Sequence, residues 1–184
     1  ELRRLNLGKN DVSITFNAIF QADRLEDLIL DETRVSKLDG IGQATKLKIL
    51  HLHGNSFGWK PIPDELFNLG ELTDLDLSDS RFGGTLSSEI GSLTNLLRLN
   101  LVSNDLSGSI PSEIGNLGSV EELMLSNNNF FGTLPESVSN LVSLKSFFLE
   151  NFKGGTAGVT GPLRPFATMP GLRDLHFSDN QLTG

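Results

Sequence analysis

The fold of this chain is decided by residues 96–111, LLRLNLVSNDLSGSIP. Apolar residues occupy the first, fourth, sixth and eleventh positions of this stretch, and Asn104 occupies the ninth. The same pattern begins 24 residues earlier, at Leu72, and 24 residues later, at Val120. A fixed period of this length is typical of a solenoid, because one repeat can bury its apolar side only against its neighbours. The sequence therefore predicts a stack of repeats rather than a domain with one central core.

The pattern extends over residues 1–184, which we interpret as a single solenoid of about eight repeats. The repeats start at Leu2, Leu25, Leu47, Leu72, Leu96, Val120, Leu144 and Leu172. Both ends of the sequence fall inside a repeat, so we expect an interior fragment that lacks both caps, with flanking repeats or another subunit covering the ends. The seventh repeat is longer than the others, and we expect its extra residues to form a loop insertion at 153–161.

Each repeat combines several local patterns. Leu99 and Leu101 alternate with other residues, so both point inward from a short strand while the residues beside them point outward. Such strands stack in parallel, about 4.8 Å apart. Residues 110–111 predict a second short strand, and residues 113–117 predict a 3-10 or helical turn whose apolar residues close the core.

The pattern resembles the leucine-rich repeat, L-x-x-L-x-L-x-x-N-x-L. The Gly-x-Ile-Pro continuation at 108–111 resembles the plant-type subclass found in receptor-like ectodomains and secreted inhibitors. The resemblance implies an α/β solenoid, a right-handed superhelix with a parallel β-sheet on its concave face and with short second strands and 3-10 or helical turns outside. It also implies an extracellular or cell-surface location, reached through the secretory pathway. The stretch at 160–166 is similar to repeats of algal, diatom-type proteins.

The same resemblance implies a structural ladder of asparagine side chains that bond backbone groups of neighbouring repeats. Its members are Asn10, Asn55, Asn104, Asn128 and Asn180. Thr33 and Ser80 replace the asparagine in two repeats, where a hydroxyl group can supply part of the same bonding. We therefore expect side chains to satisfy backbone groups that are buried between repeats.

Composition excludes several classes of function. The 23 acidic residues exceed the 15 basic ones, which argues against a nucleic-acid binder and against contact between this segment and an anionic membrane. Cysteine is absent, so neither a disulfide nor a thiolate metal site is possible. No uninterrupted apolar run approaches the roughly 20 residues that a membrane-spanning helix needs.

The outward positions of the strands form the candidate partner-binding site. We assign to it His51, His53, Asp74, Asp76, Arg98, Asn100, Glu122, Met124 and Phe148. Acidic residues outnumber basic ones on this face, which predicts a protein or peptide partner with a basic patch; solubility alone is the competing explanation for exposed carboxylates. Exposed large apolar groups beside charges favour the first explanation, because they are typical of the centre of an interface.

Two chemical alternatives arise from the histidines. His51 is expected beside Asp76 on the next strand, and two histidines with a carboxylate can bind a metal. Ser78 in the same neighbourhood suggests a hydrolytic triad. A shallow sheet supplies neither an oxyanion hole nor a deep pocket, so we expect surface histidines, no metal, no cofactor and no enzyme activity.

Two functions remain. The first is a protein- or peptide-binding module that recognises its partner through the concave sheet, without catalysis. The second is a structural or adhesive scaffold subunit of a cell-surface, extracellular or multisubunit assembly. Recognition concentrates affinity in a few anchors on the concave face, whereas a scaffold uses broad lateral surfaces.

Overall fold

The computed structural model describes residues 2–14, 16, 24–151 and 158–184. Its strands are short and follow the alternating stretches of the sequence. In chain order they are β1 (Arg4–Asn6), β2 (Asp27–Ile29), β3 (Ile49–His51), β4 (Asp74–Asp76), β5 (Gly83–Thr85), β6 (Arg98–Asn100), β7 (Asp105–Gly108), β8 (Glu122–Met124), β9 (Asn129–Phe130), β10 (Gly132–Thr133), β11 (Ser146–Phe148), β12 (Val159–Pro162), β13 (Asp174–His176) and β14 (Gln181–Thr183).

The main sheet is parallel, and in the described part of the chain it has eight strands in the order β1-β2-β3-β4-β6-β8-β11-β13. Each strand begins two residues after one of the repeat starts given above. The register aligns equivalent residues, so that Leu75 lies opposite Leu99 and Leu99 lies opposite Leu123. Successive repeats are therefore neighbours in the sheet, which is the arrangement of a solenoid. The predicted solenoid fold, with its concave parallel sheet, is confirmed.

Short second strands and 3-10 helices cover the other sides of the stack. Within the residues that the structure describes, the second strands form two sheets, β5-β7-β9 and β10-β12-β14. Gly108, in β7, has a φ of 82°, and a Cβ there would lie 3.0 Å from the Cγ2 of Thr85, so both backbone conformation and space favour glycine. The 3-10 helices are η1 (Ile41–Gln43), η2 (Asp64–Asn68), η3 (Ser88–Ser92), η4 (Ser112–Asn116), η5 (Glu136–Asn140) and η6 (Arg164–Phe166).

The core is a continuous column of apolar side chains that runs along the solenoid. In the central repeats Leu75, Leu99 and Leu123 have no exposed surface, and the helical turns add Ile114 and Leu117, which are also fully buried. Burying one such side chain contributes roughly 1.5–3 kcal/mol relative to leaving it in water. Each repeat thus depends on the next one for most of its stability.

The expected loop at 153–161 is described only in part. Its residues 153–157 lie outside the described residues, and Val159 opens strand β12, which pairs with β10 and with β14. Among the described residues, we find no helix with the length and apolar character needed to cross a bilayer.

Candidate functional site

The concave sheet brings eight of the nine predicted partner-binding residues together on five neighbouring strands. Asp74, Arg98 and Glu122 form one row across the sheet, because the register pairs them in that order. His51, Asp76, Asn100, Met124 and Phe148 form a parallel row two residues further along the strands. His53 follows β3 and extends the site at the carboxyl ends of the strands.

Asp74 is the centre of the charged part of this surface. Its carboxylate forms an ion pair with Arg98 of the next strand and lies 3.3 Å from the Nε2 of His51 on the preceding strand. That nitrogen is buried and makes no regular hydrogen bond, so its contact with Asp74 is electrostatic. Because Asp74 is buried, its ionised carboxylate needs the two neighbouring positive groups to offset the cost of burying a charge.

Proton affinities in this cluster follow from its geometry. Burial by itself raises the pKa of Asp74, but the contacts with His51 and Arg98 outweigh burial and hold the pKa below its ordinary value. The Asp74 carboxylate raises the pKa of His51, against the effect of burial, and the charges of Asp31 and Asp76 add to the increase. Burial raises the pKa of Asp31. The centre of the sheet therefore favours a protonated His51 beside an ionised Asp74.

A second polar network surrounds Ser78 and excludes the triad considered from the sequence. The Ser78 hydroxyl donates to Oδ1 of Asp76 at 2.6 Å, and Nδ1 of His53 lies 2.9 Å from the same hydroxyl oxygen. Because the Ser78 hydroxyl uses its one proton in the hydrogen bond to Asp76, the Nδ1 of His53 is the donor in the hydrogen bond between His53 and Ser78. A hydrolytic triad needs histidine between serine and carboxylate, acting as the base. Here serine stands between the other two, so His53 cannot activate it.

The position expected for His51, beside Asp76 on the next strand, is the one that the structure shows. The two residues are register partners, as expected, but the imidazole of His51 turns to Asp74, while Asp76 binds Ser78 and accepts a hydrogen bond from Asn100 at 3.1 Å. Over the described residues, no group of three or more histidine, aspartate or glutamate side chains has a geometry that could hold a metal ion.

The apolar part of the surface lies on β8, β11 and β13. The ring of Phe148 stacks on the imidazole of His176, with the ring centroids 4.7 Å apart and the planes at 25° to each other. Met124 is the register partner of Phe148 on the other side, and both side chains are half-buried. His176 was not among the predicted site residues, although its position opposite Phe148 in the repeat pattern could have identified it.

Most cations of the concave face are already paired with a carboxylate of an adjacent repeat. The pairs are Arg3–Glu26, Arg4–Asp27, Lys9–Glu32, Lys48–Glu26, Arg98–Asp74 and Lys145–Glu121. In contrast, Asp31 and Asp76 form no ion pair within the described residues. They accept hydrogen bonds from the backbone N–H of His53 and from Ser78, respectively. Uncompensated negative charge thus remains at the carboxyl ends of β2 and β4.

The predicted ladder asparagines lie at the turn that follows a strand of the main sheet. Four of them donate to a carbonyl of the preceding repeat, namely Asn55, Asn104, Asn128 and Asn180, whereas Asn10 donates to the carbonyls of Leu7 and Gly8 in its own repeat. Asn55, Asn104 and Asn128 are buried, Asn180 is half-buried, and Asn10 is exposed. The Nδ2 of Asn128 donates to the carbonyls of Leu101, in the preceding repeat, and of Leu125, in its own. Where serine replaces asparagine, the Ser80 hydroxyl donates to the carbonyl of Leu52 at 2.7 Å.

Comparison with known proteins places this geometry among repeat proteins. The sequence profile described as Leucine Rich Repeat matches residues 46–69, 71–93, 95–117 and 119–141, together half of the chain. A search of curated protein sequences gave no match.

Several solved structures are similar over almost the whole chain. The Arabidopsis receptor kinase HAESA, in complex with the peptide hormone IDA and the co-receptor SERK1, is 33% identical with a TM-score of 0.86, over 98% of this chain and 30% of that one. A leucine-rich-repeat protein of Leptospira interrogans is 30% identical with a TM-score of 0.79, over 98% of this chain and 44% of that one. The plant peptide hormone receptor RGFR1, in complex with RGF2, is 26% identical with a TM-score of 0.72, over 100% of this chain and 33% of that one. The chain therefore spans less than half the length of each of these proteins.

Proposed function

Because this chain belongs to the leucine-rich repeat family, we propose that it is a protein- or peptide-binding module whose concave sheet contacts the partner, without catalysis. The observation that carries the proposal is the neighbourhood of Met124 and Phe148 on the sheet face. Large apolar side chains lie there beside the charged row of Asp74, Arg98 and Glu122. An apolar centre with a charged border is the usual anatomy of a protein interface.

The similar solved structures support the class of partner. HAESA is in complex with the peptide hormone IDA and the co-receptor SERK1, and the plant peptide hormone receptor RGFR1 is in complex with RGF2. We propose a protein or peptide partner for this chain on the same grounds. The uncompensated carboxylates of Asp31 and Asp76 favour a partner with basic residues, whose charge would steer association and fix orientation. An extracellular location belongs to the same proposal, since the similar part of HAESA is its ectodomain.

The test uses peptides selected for binding to the chain from a display library, with affinity measured for single substitutions. Phe148→Ala is expected to weaken binding by about 2 kcal/mol, roughly thirty-fold, because it removes a partly desolvated anchor. Val142→Ala is the matched control: Val142 is 67% exposed and follows the 3-10 helix η5 rather than lying on the sheet. It is expected to change affinity by less than about twofold.

A charge substitution separates steering from anchoring. Asp76→Asn is expected to lower mainly the association rate and to reduce its dependence on salt, with a smaller effect on dissociation. If Phe148→Ala and Asp76→Asn both bind like the wild type while Val142→Ala loses binding, the concave site is wrong. The lateral surface would then carry the interaction, as in a scaffold.

A further inference from the structure

A groove lies on the side of the second strands, where the second and third repeats meet. Its volume is about 250 Å³, and its apolar walls include Leu38, Phe57, Pro61 and Phe82. The rings of Phe57 and Phe82 stack with their centroids 4.3 Å apart, so this wall is rigid. The volume is below that of a typical cofactor pocket and fits a few side chains of a larger partner.

The groove exists because two unlike repeats meet there. The third repeat bonds forward to the fourth: the N–H of Trp59 donates to the carbonyl of Arg81 at 2.7 Å, and that of Gly83 donates to the carbonyl of Lys60 at 2.9 Å. In the described structure, no backbone hydrogen bond joins residues 57–63 back to residues 36–39 of the second repeat. The facing segments are seven and four residues long, so the gap accommodates an extended segment of about four residues.

Three of the cations around this groove are not paired with carboxylates of the described residues, unlike most cations of the concave face. Lys37 and Lys60 line the groove, and Arg81 lines an adjoining depression that shares Ser36 with it. Within the part of the chain that is described, none of the three cations forms an ion pair, whereas six cations of the concave face do. An incoming anion could therefore bind here without displacing a carboxylate of the protein.

The two acids of the groove do not neutralise these cations by contact. The Glu65 carboxylate accepts a hydrogen bond from the backbone N–H of Gly40 at 2.9 Å, and Asp39 is exposed. The groove and the adjoining depression together are lined by four cations, Lys37, Lys60, Arg34 and Arg81, and by three acids, Asp39, Glu65 and Asp79. Their balance is one positive charge, on a chain whose net charge is −8. This part of the surface is thus less acidic than the chain as a whole.

An aromatic side chain stands beside the cations. Trp59 precedes Lys60 and is 61% exposed, and its backbone is left-handed, with a φ of 57°, a conformation uncommon for a bulky residue. The guanidinium of Arg81 lies over the indole ring, 5.6 Å from its centroid. This contact and the backbone bond to Arg81 hold an apolar plane and a positive charge side by side. Exposed tryptophan beside arginine is typical of interaction hot spots.

We infer that this groove is a second binding surface, which accepts an extended acidic peptide segment of a partner protein. Acidic side chains of the segment pair with Lys37, Lys60 and Arg81, and its apolar side chains pack against Phe57, Pro61 and Trp59. The surface lies apart from the concave sheet, so this inference does not depend on the function proposed above.

The sequence provides its own reporter for a test. Trp59 is the single tryptophan and tyrosine is absent, so the intrinsic fluorescence of tryptophan reports on this site alone. The chain is titrated with a terminally blocked octapeptide of alternating Glu and Pro, which is extended in solution, and with its Lys and Pro counterpart. We expect a saturable fluorescence change with the acidic peptide and none with the basic one. Calorimetry under the same conditions gives the affinity independently of fluorescence.

Matched charge variants locate the binding. Lys60→Glu is expected to weaken the acidic peptide about tenfold or more through repulsion. Lys46→Glu makes the same change in net charge at an exposed lysine that pairs with Glu71 instead of lining the groove, and is expected to change affinity less than about twofold. Phe148→Ala should leave binding of this peptide unchanged, which separates the groove from the concave site.

Three results overturn the inference. The first is an equal response to the acidic and basic peptides, and the second is an equal loss of affinity in Lys60→Glu and Lys46→Glu. The third is saturable binding of a heparin hexasaccharide with no binding of the acidic peptide, which would assign the groove to an anionic glycan instead.

Discussion

The side chain of Asn104 joins two repeats, because its Oδ1 accepts the backbone N–H of Ser80, 24 residues earlier, at 3.2 Å. The same oxygen accepts the N–H of Phe82 at 2.9 Å, and the Nδ2 donates to the carbonyl of Leu77 at 2.9 Å. One buried amide thus satisfies three backbone groups of the preceding repeat. Those groups have no access to water in this position, so the protein depends on the side chain to pair them.

Replacing this amide by a side chain of similar size tests its structural role. Asn104→Leu is expected to lower the free energy of unfolding by at least about 1–3 kcal/mol, the cost of leaving a buried polar group unpaired. Urea denaturation followed by circular dichroism gives the value. The control is Asn140→Leu, at an exposed asparagine at the end of η5, for which a change within about 0.5 kcal/mol is expected. Equal unfolding free energies for the two variants would contradict the proposed ladder.

The main sheet could be predicted because every repeat meets the same requirement. Residues such as Leu75 and Leu99 have equivalent neighbours on both sides, so the spacing of apolar residues determines where each strand begins and which residues face outward. Membership of the two rows that contain Asp74 and Asp76 followed directly from this periodicity.

Contacts that break the repeat symmetry could not be predicted in the same way. Whether His51 contacts Asp74 or Asp76 depends on side-chain rotamers and on Ser78. The Ser78 hydroxyl donates a hydrogen bond to Asp76, and His51 contacts Asp74. The groove beside Phe57 depends on how two outer halves of different length fit together, a property of neither sequence segment alone. The two proposed binding surfaces of this solenoid therefore lie where its repeats differ.

Close packing between outer turns gives a second test of stability. A Cβ at Gly115, in η4, would lie 2.4 Å from the carbonyl oxygen of Ser137, in η5. Gly115→Ala is expected to cost about 1–3 kcal/mol, because the backbone of the next repeat must shift. Gly118→Ala, three residues on, has open space around its Cβ and no left-handed backbone, and is expected to be neutral or stabilising by up to about 1 kcal/mol. Thermal and urea unfolding of the pair should therefore give opposite or clearly unequal shifts.

The arrangement of hydrogen bonds around Ser78 predicts how this serine reacts with a probe for nucleophilic serines. The Asp76 carboxylate accepts a hydrogen bond from the Ser78 hydroxyl, and His53 donates one to the hydroxyl oxygen. No histidine is therefore placed as the base that would activate Ser78 as a nucleophile. A fluorophosphonate probe is expected to leave Ser78 unlabelled, as judged by mass spectrometry of the intact chain, under conditions that label a serine protease completely. Stoichiometric modification of Ser78 that is lost in Ser78→Ala would show that the network rearranges to a catalytic order.

The contact between His51 and Asp74 predicts how stability depends on pH. The Asp74 carboxylate raises the pKa of His51 above its ordinary value, despite opposing burial, so the folded chain binds this proton more tightly than the unfolded chain. The resulting stabilisation is fully present below the unfolded-state pKa of about 6.5 and is lost as pH rises through the folded-state pKa. His51→Gln removes this contribution. The difference in unfolding free energy between the wild type and His51→Gln is therefore expected to be larger near pH 5 than near pH 9.

Direct titration identifies the cause of this pH dependence. The imidazole resonances of His51, followed by NMR, are expected to give a pKa above about 6.5 in the wild type and a lower one in Asp74→Asn, where the neighbouring negative charge is absent. Asp174→Asn is the control, because Asp174 lies at the far end of the same row, on β13, and its carboxylate contacts Ser146. A pKa of His51 that is unaltered in Asp74→Asn would assign the shift to the remaining charges, Asp31 and Asp76. The pH dependence of stability should then disappear in Asp31→Asn or Asp76→Asn instead, and not in Asp74→Asn.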